Sequence, residues 1–103
     1  MSKKTLDYED GLVDQLKDSE LAVEYLNASL EDEDEGAEER FLIALRHVAK
    51  AHGMSVVSEK SGVARQALYR ALSEKGNPEL SSLKAVLDAL GLKLAIESKI
   101  QAS

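Results

Sequence analysis

Residues Ser58–Ser73, SEKSGVARQALYRALS, decide the fold that the sequence predicts. A short helix capped by Ser55 leads into Gly62, a residue type that readily adopts a positive φ, and a second helix begins at about Ala64. Apolar or small side chains stand where the two helices would brace each other, at Val57, Ser58, Val63, Leu68, Ala71 and Leu72. This order is typical of a helix-turn-helix, in which the first helix holds the second in the DNA major groove.

The outer face of the predicted second helix is basic and polar. Its exposed positions are Arg65, Gln66, Tyr69, Arg70 and Ser73. Arginine suits guanine edges, glutamine suits adenine edges, and hydroxyl groups suit sugar and phosphate. These residue types predict a helix that reads DNA. The alternative is an ordinary helical hairpin whose arginines are only solvated, and the stretch alone leaves both interpretations open.

Further helices are predicted on both sides of this stretch. From about Glu38 to His52, before Gly53, apolar residues recur at helical spacing, at Phe41, Leu42, Leu45, Val48 and Ala49. After the turn signal KGNP, another amphipathic helix is closed by Gly91, with apolar positions at Leu80, Leu83, Val86, Leu87 and Leu90. With a helix near the N-terminus, the prediction is an all-α domain of about five helices.

The formal net charge of −6 is unevenly divided along the chain. Residues 1–39 hold 14 acids and 3 lysines, whereas residues 40–103 hold 10 basic residues and 5 acids, which gives −11 and then +5. This asymmetry favours a cationic partner for the first part and an anionic partner for the second. A solvated acidic tail is the alternative. We therefore divide the chain into an acidic region, residues 1–35, and a DNA-binding domain, residues 36–103.

The acidic region is predicted to hold one helix between an arm and a linker. Residues 1–18 have few apolar positions and no sustained period, so we expect a flexible arm. Ser19 can cap a helix that runs to about Leu30. The acids of Glu31–Gly36 should end that helix, because its dipole disfavours anions at the C-terminus. They do not form a calcium loop, since Leu42 stands where a bidentate Glu is required.

Composition and motifs exclude several classes of protein. No apolar run in the 103 residues approaches the roughly 18 to 20 residues of a membrane span. The first residues lack the apolar segment of a secretory signal and the chain has no cysteine, so we expect a cytoplasmic protein. His47 and His52 lie on different helix faces and cannot form a zinc pair. We find no catalytic set and predict no enzyme activity, no cofactor and no metal.

Two stretches of the chain resemble a known family. LAVEYLNASLEDED and the long run from FLIALRHVAKAHGMS through LYRALSEKGNP to ALGLKLAIE are similar to the addiction-module antidote family, small antitoxins with a Xre/Cro-type helix-turn-helix that are akin to HigA-like antitoxins. The resemblance covers about Leu21 to Glu97. It implies a lambda-repressor-like fold and a protein that neutralises a small basic toxin of the RelE/ParE-like superfamily. It also implies that a dimer represses the shared operon.

The resemblance assigns DNA-reading roles to Ala64, Arg65, Gln66, Tyr69 and Arg70. Ala64 stands where members of the family often carry Ser as the helix N-cap, so a capping bond is missing from this chain. Outside this helix, Lys60 and Lys75 are candidate phosphate contacts. The operator is expected to carry inverted half-sites about one DNA turn apart.

The acidic region is the candidate toxin-binding part. A toxin that handles RNA needs a basic surface, and a segment of opposite charge can steer association with that surface and cover it. We predict Tyr25 and Leu26 as apolar anchors, with Glu31, Asp32 and Glu33 as charged contacts.

After Gly91 the sequence GLKLAIE alternates apolar and polar residues, which is the period of a half-buried strand. We expect a short C-terminal strand in which Leu92, Leu94 and Ile96 pair with a second copy; an irregular tail and pairing with the toxin are alternatives. Two other functions stay open at this point. One is a stand-alone helix-turn-helix repressor without a toxin, and the other is a protein-interaction module that no longer reads DNA.

Overall fold

In a computed structural model the chain is described over residues 10–31 and 33–99, and this part is all-helical. Five helices follow one another, namely α1 (Ser19–Glu31), α2 (Ala37–His52), α3 (Met54–Ser61), α4 (Arg65–Ala71) and α5 (Leu80–Ala89). A further helical segment precedes them at residues 10–15. The described residues contain no strand, and their helices include none that is long and apolar enough to cross a membrane.

The helix α1 begins at Ser19, the residue predicted to cap it, so it starts one residue earlier than predicted. Asp18, not Ser19, caps it: the Asp18 Oδ1 atom accepts hydrogen bonds from the backbone N–H groups of Glu20 at 2.9 Å and Leu21 at 3.4 Å. A carboxylate at this position both satisfies the free N–H groups and complements the helix dipole. The predicted end near Leu30 is confirmed within one residue.

The prediction of a flexible arm is wrong for residues 10–18. They form the helical segment and a turn, and the Leu16 side chain is buried in the common core. Leu12 packs against the same core. The physical reason is that a few well-placed leucines suffice to dock one helical turn when a partner surface is nearby. Residues 1–9 lie outside the described part of the chain.

The longest helix, α2, carries much of the core. All five predicted apolar positions, from Phe41 to Ala49, are buried, and Leu45 and Ala49 have no solvent-exposed surface. Glu38 and Glu39 in its first turn face the positive end of the dipole, and Gly53 ends it with a φ of 107°. The sequence prediction for this helix is therefore confirmed.

The pair α3 and α4 is joined by the predicted glycine turn. Gly62 has a φ of 77°, the left-handed region that glycine adopts most easily, and its N–H donates to the Ser58 carbonyl. The Ser58 hydroxyl donates to the Val63 carbonyl at 2.7 Å and ties the turn to α3. Ser55 does not cap α3, which already begins at Met54 and has no side-chain cap.

The last helix and the C-terminal residues differ from the prediction in two places. Leu80 is 64% exposed, so it does not belong to the inner face of α5, although Val86, Leu87 and Leu90 are buried. The predicted C-terminal strand is wrong: residues 92–98 have no regular secondary structure. A lone strand has no partner for its backbone groups within this chain, so the alternating sequence does not suffice to form one.

The helices pack in a simple order around one core. α1 lies on α2, whereas α3 contacts α2, α4 and α5. The core consists of Leu16, Ala22, Leu26, Phe41, Leu42, Ala44, Leu45, Val48, Ala49, Met54, Val57, Leu68, Leu72, Val86, Leu87, Ala89 and Leu90. Burying each large aliphatic side chain contributes about 1.5–3 kcal/mol, so this cluster is the main source of stability. It includes residues from the acidic region as well as from the rest of the chain.

Candidate functional site

The outer face of α4 presents three long polar side chains. Arg65, Gln66 and Arg70 are exposed, while Leu68 has no exposed surface and fixes the helix on the core. Ala64 precedes the helix with a φ of −58° and a ψ of 146° and provides no side-chain cap, as its methyl group dictates. Both arginines are thus exposed to solvent, and Gln66 and Arg70, four residues apart, lie on the same side of the helix.

Tyr69 is placed differently from its neighbours on α4. Its ring is half-buried and packs against the core, and the Arg46 guanidinium of α2 lies 5.7 Å from the ring centroid. A cation at this distance is attracted by the negative face of the ring. Sequence reasoning missed Arg46, because the contact joins residues far apart in the chain and α2 showed only its apolar period.

The other predicted phosphate contacts lie around α4. Lys60 is exposed in the last turn of α3, and Lys75 is exposed in the turn that follows α4. Ser73 is half-buried, and its hydroxyl donates to the Arg70 carbonyl at 2.8 Å. That bond satisfies a carbonyl group in the last turn of α4 and occupies the hydroxyl hydrogen, so Ser73 can offer only its oxygen lone pairs unless the bond breaks.

The acidic region is arranged differently from the prediction. Leu26 is 5% exposed and belongs to the core, so it cannot serve as an anchor for a partner. Tyr25 is half-buried, and its hydroxyl forms a 2.9 Å hydrogen bond with His47 Nδ1 on α2. Glu31 and Glu33 are exposed, and Asp32 lies outside the described residues. Of the predicted contact set, Glu31 and Glu33 are exposed and Tyr25 is partly accessible, whereas Leu26 is buried.

Three apolar side chains of α1 were not predicted as contacts but are exposed: Leu21 at 43%, Val23 at 40% and Leu30 at 53%. Helical geometry explains their exposure, since Ala22 and Leu26 already occupy the face that lies on α2. The spacing of apolar residues in the sequence predicted a buried face of α1. It could not show that other aliphatic residues of the same helix are exposed.

The connection between α1 and α2 is organised by an ion pair. The Arg40 guanidinium donates to Asp34 Oδ1, and the Gly36 N–H donates to the same oxygen at 3.2 Å. The hydrogen bond from Arg40 lowers the pKa of the Asp34 carboxyl below its usual value. The acidic run therefore forms an ordered turn at Asp34. The side chains of Asp34 and Arg40 are nevertheless well exposed to solvent.

The three residues predicted for a dimer contact lie near the C-terminus. Leu92 packs partly against the core, Leu94 is 41% exposed and Ile96 is 99% exposed. The structure does not gather them on one strand face. Among the described residues no group of three or more His, Asp or Glu side chains is arranged to hold a metal ion. His47, whose ring also lies near Tyr25, is engaged in packing and hydrogen bonding.

Comparison with known proteins identifies the family. A family model described as "Probable addiction module antidote protein" matches residues 7–98. The chain belongs to this antidote family. An uncharacterized protein of Haemophilus influenzae is 33% identical over 95 residues, an alignment that covers 84% of this chain and 95% of that protein. No solved structure matches the chain.

Membership in the antidote family confirms the coarser part of the resemblance stated from the sequence. It suggests an antitoxin role, implies a toxin partner of some kind, and points to a regulatory protein. The all-helical architecture is compatible with a small helical domain of this kind. Neither the class of toxin nor a DNA-binding role of α4 follows from family membership alone.

Proposed function

We propose that this antidote protein is the antitoxin of a type II toxin-antitoxin module, that it neutralises a small basic RelE/ParE-like toxin, and that it represses its own operon by binding DNA. The observation that carries the proposal is the face of α4, where Arg65, Gln66 and Arg70 point to solvent from a helix anchored by Leu68. Membership in the antidote family implies a toxin partner.

The DNA-binding part of the proposal assigns α3 and α4 to a HigA-like, Xre/Cro-type helix-turn-helix. α3 braces α4 through the buried Val57, and the left-handed Gly62 gives the sharp turn between them. Ala64, Arg65, Gln66, Tyr69 and Arg70 then face the major groove, with Lys60, Lys75 and Ser73 beside the phosphates. Arg46 adds positive charge next to Tyr69.

The toxin-binding part of the proposal relies on charge. Exposed acids on α1 and on the connection to α2, including Glu31 and Glu33, complement a toxin surface that attracts RNA phosphates. Exposed apolar groups beside them, Leu30 above all, replace the buried Leu26 as the anchors that we propose. The chain would work in the cytoplasm, where both the operon and the toxin's target are found.

The proposed operator complex contains two copies of the chain. Leu94 and Ile96 are exposed apolar residues close to the C-terminus, and a second copy is their proposed partner together with Leu92. Two α4 helices about 34 Å apart would then read inverted half-sites.

Operator binding is tested with the promoter region of the chain's own operon. Arg65→Ala and Arg70→Ala should each weaken specific binding by about 1–3 kcal/mol, because each removes a base contact. Lys84→Ala is the matched control, since Lys84 is an exposed cation on a different helix, α5. Binding should also weaken with salt with a log-log slope near −0.9 per phosphate neutralised. Equal affinity for operator and random DNA in every variant would contradict DNA reading.

Toxin binding is tested by co-expression with the product of the neighbouring gene. Deleting the acidic region would remove Leu16, Ala22 and Leu26 from the core, so charge reversal is the cleaner change. The double variant Glu31→Lys, Glu33→Lys should lose neutralisation of the toxin, and Asp88→Lys with Glu97→Lys should keep it. Neutralisation by the first variant at the wild-type level would argue against the acidic surface.

The second candidate function is a stand-alone repressor without a toxin. The specific observation in its favour is that Arg65 and Arg70 are exposed on α4 of this chain, and their proposed contacts with DNA require no toxin. Repression of the promoter in a host that lacks the neighbouring gene, together with no complex between the two products, would favour it.

A further inference from the structure

A groove of about 510 Å³ lies between α1 and α2 and is open to solvent. Tyr25 and Ala28 line it from α1, and Ile43 and Ala44 line it from α2, so its floor is largely apolar. The Ser29 hydroxyl, which also faces the groove, already donates to the Leu26 carbonyl at 2.7 Å. The floor therefore offers apolar surface and few free donors.

The rim of the groove is acidic. Glu39 from α2 and Glu74 from the turn after α4 stand on it, and both are exposed. Arg40 is the single cation among the lining residues, and it donates to Asp34. The rim charge is therefore negative, and its two glutamates come from parts of the chain that are distant in sequence.

A second depression, of about 260 Å³, lies on the same pair of helices. Like the groove, it is lined by apolar and acidic side chains. The apolar residues are Leu30 and Ala37, and the acids are Glu33, Asp34 and Glu38. No basic side chain lines it. The pair α1 and α2 thus presents two concave surfaces that combine an apolar floor with acidic rims.

We propose that the groove between α1 and α2 binds a peptide segment of the toxin in which apolar side chains are accompanied by lysine or arginine. Charge complementarity selects this occupant: basic side chains pair with Glu39 and Glu74, while aliphatic side chains cover Ile43 and Ala28. The inference rests on the proposed function for the identity of the partner, and it specifies the surface that the partner occupies.

Glu74 places the groove next to the proposed DNA-binding surface. Glu74 directly precedes Lys75 in the turn after α4, so a segment in the groove reaches the edge of the proposed DNA-binding surface. The toxin segment and the operator would therefore approach the same turn from two sides.

The groove is tested without the toxin, by panning a phage library of random dodecapeptides against the immobilised full-length chain. The enriched peptides should carry net positive charge and aliphatic residues. As synthetic peptides they should bind the wild type and lose at least about tenfold in affinity for Ala28→Trp, which fills the groove from an exposed position of α1. Asn27→Trp is the matched control, because the neighbouring exposed Asn27 does not line the groove.

A second pair of variants tests the charges. Glu39→Lys with Glu74→Lys should abolish binding of the same peptides, whereas Asp88→Lys with Glu97→Lys should leave most of it, since neither residue lines the groove or belongs to the acidic region. Unfolding curves establish that each variant is folded. Acidic or uncharged enriched peptides, equal binding to Ala28→Trp, or no enrichment at all would overturn the proposal.

The outcome separates the groove from the proposed function. If the toxin binds the wild type and Ala28→Trp equally well, the groove proposal fails and the antitoxin proposal stands. If no toxin binds the chain while basic peptides still require Ala28, the antitoxin proposal fails and the groove remains a peptide-binding surface.

Discussion

The acidic pair α1 and α2 and the basic pair α3 and α4 are both helical hairpins, but they place their charge and their glycine differently. The first connection contains Gly36 at an ordinary φ of −93° and is held by the ion pair of Asp34 and Arg40, whereas the second depends on Gly62 at 77°. The acids of the first pair are concentrated in α1 and the connection; the arginines of the second stand on α4. One turn is fixed by side chains and the other by backbone conformation.

The helices α1 and α4 also differ in what they leave exposed. In α1, Leu21, Val23 and Leu30 remain on the surface, while the apolar residues of the shorter α4 are buried or half-buried. An acidic helix with exposed aliphatic groups suits a protein partner, and a short helix with exposed arginines suits an anion. The difference indicates that local charge predicts the sign of a partner, while packing decides which apolar groups can reach it.

The largest expected effect tests whether α1 belongs to the same cooperative unit as α4. Leu26→Ala should lower the free energy of unfolding by about 2–5 kcal/mol, because it leaves a cavity between α1 and α2. Leu30→Ala, four residues later but 53% exposed, should change it by no more than about 0.5 kcal/mol. Urea denaturation measures both. Similar small losses for the two variants would mean that α1 is docked only loosely.

The next effect compares the turns on the two sides of α4. Gly76→Ala would place a Cβ atom 1.9 Å from the Ala71 carbonyl oxygen, so the backbone must shift, at a cost of about 1–3 kcal/mol or more. Gly62→Ala meets no atom within 4 Å and should cost about 1–2 kcal/mol, from its left-handed conformation alone. Thermal unfolding shows which of the two variants is less stable. If Gly62→Ala is the less stable variant, the turn at Gly62 is the tighter one, contrary to our expectation.

A smaller effect compares one hydrogen bond in each helical pair. Tyr25→Phe removes the hydroxyl that bonds His47, and Ser58→Ala removes the one that bonds the Val63 carbonyl. Each should lower stability by about 0.5–1.5 kcal/mol. Tyr25→Phe should leave operator binding unchanged, because the hydrogen bond that it removes joins α1 to α2. Loss of operator affinity in this variant, measured at constant salt, would show that the acidic pair influences the basic one.

The smallest effect concerns the exposed ion pair. Because Arg40 lowers the pKa of Asp34 in the folded chain, the carboxylate contributes stability above its unfolded pKa, and this contribution is lost as the pH falls through the folded pKa. Asp34→Asn should therefore be slightly less stable than the wild type at neutral pH and equally stable at acidic pH. Denaturation at both pH values checks this, and a difference that persists in acid would point to the Asp34 backbone turn instead of its charge.

The sequence by itself determined the helical pattern, the division of charge and the left-handed turn at Gly62. These features depend on local periodicity and on the conformational range of single residues, so they can be predicted without knowledge of neighbours. The family resemblance, carried by stretches such as LYRALSEKGNP, was likewise contained in the sequence and is confirmed for the antidote family. The exposure of Arg65 and Arg70 on α4 followed from the same periodicity.

Only the tertiary structure decided which apolar residues are covered and which distant side chains meet. Leu26 is buried and Leu30 exposed although both belong to one amphipathic helix, and Leu80 stands outside the core although it opens an apolar series. The contact of Arg46 with Tyr69, and the groove that joins α1 to Glu74, involve residues separated by many turns of chain. Such contacts depend on how whole helices pack on one another, and no local pattern contains that information.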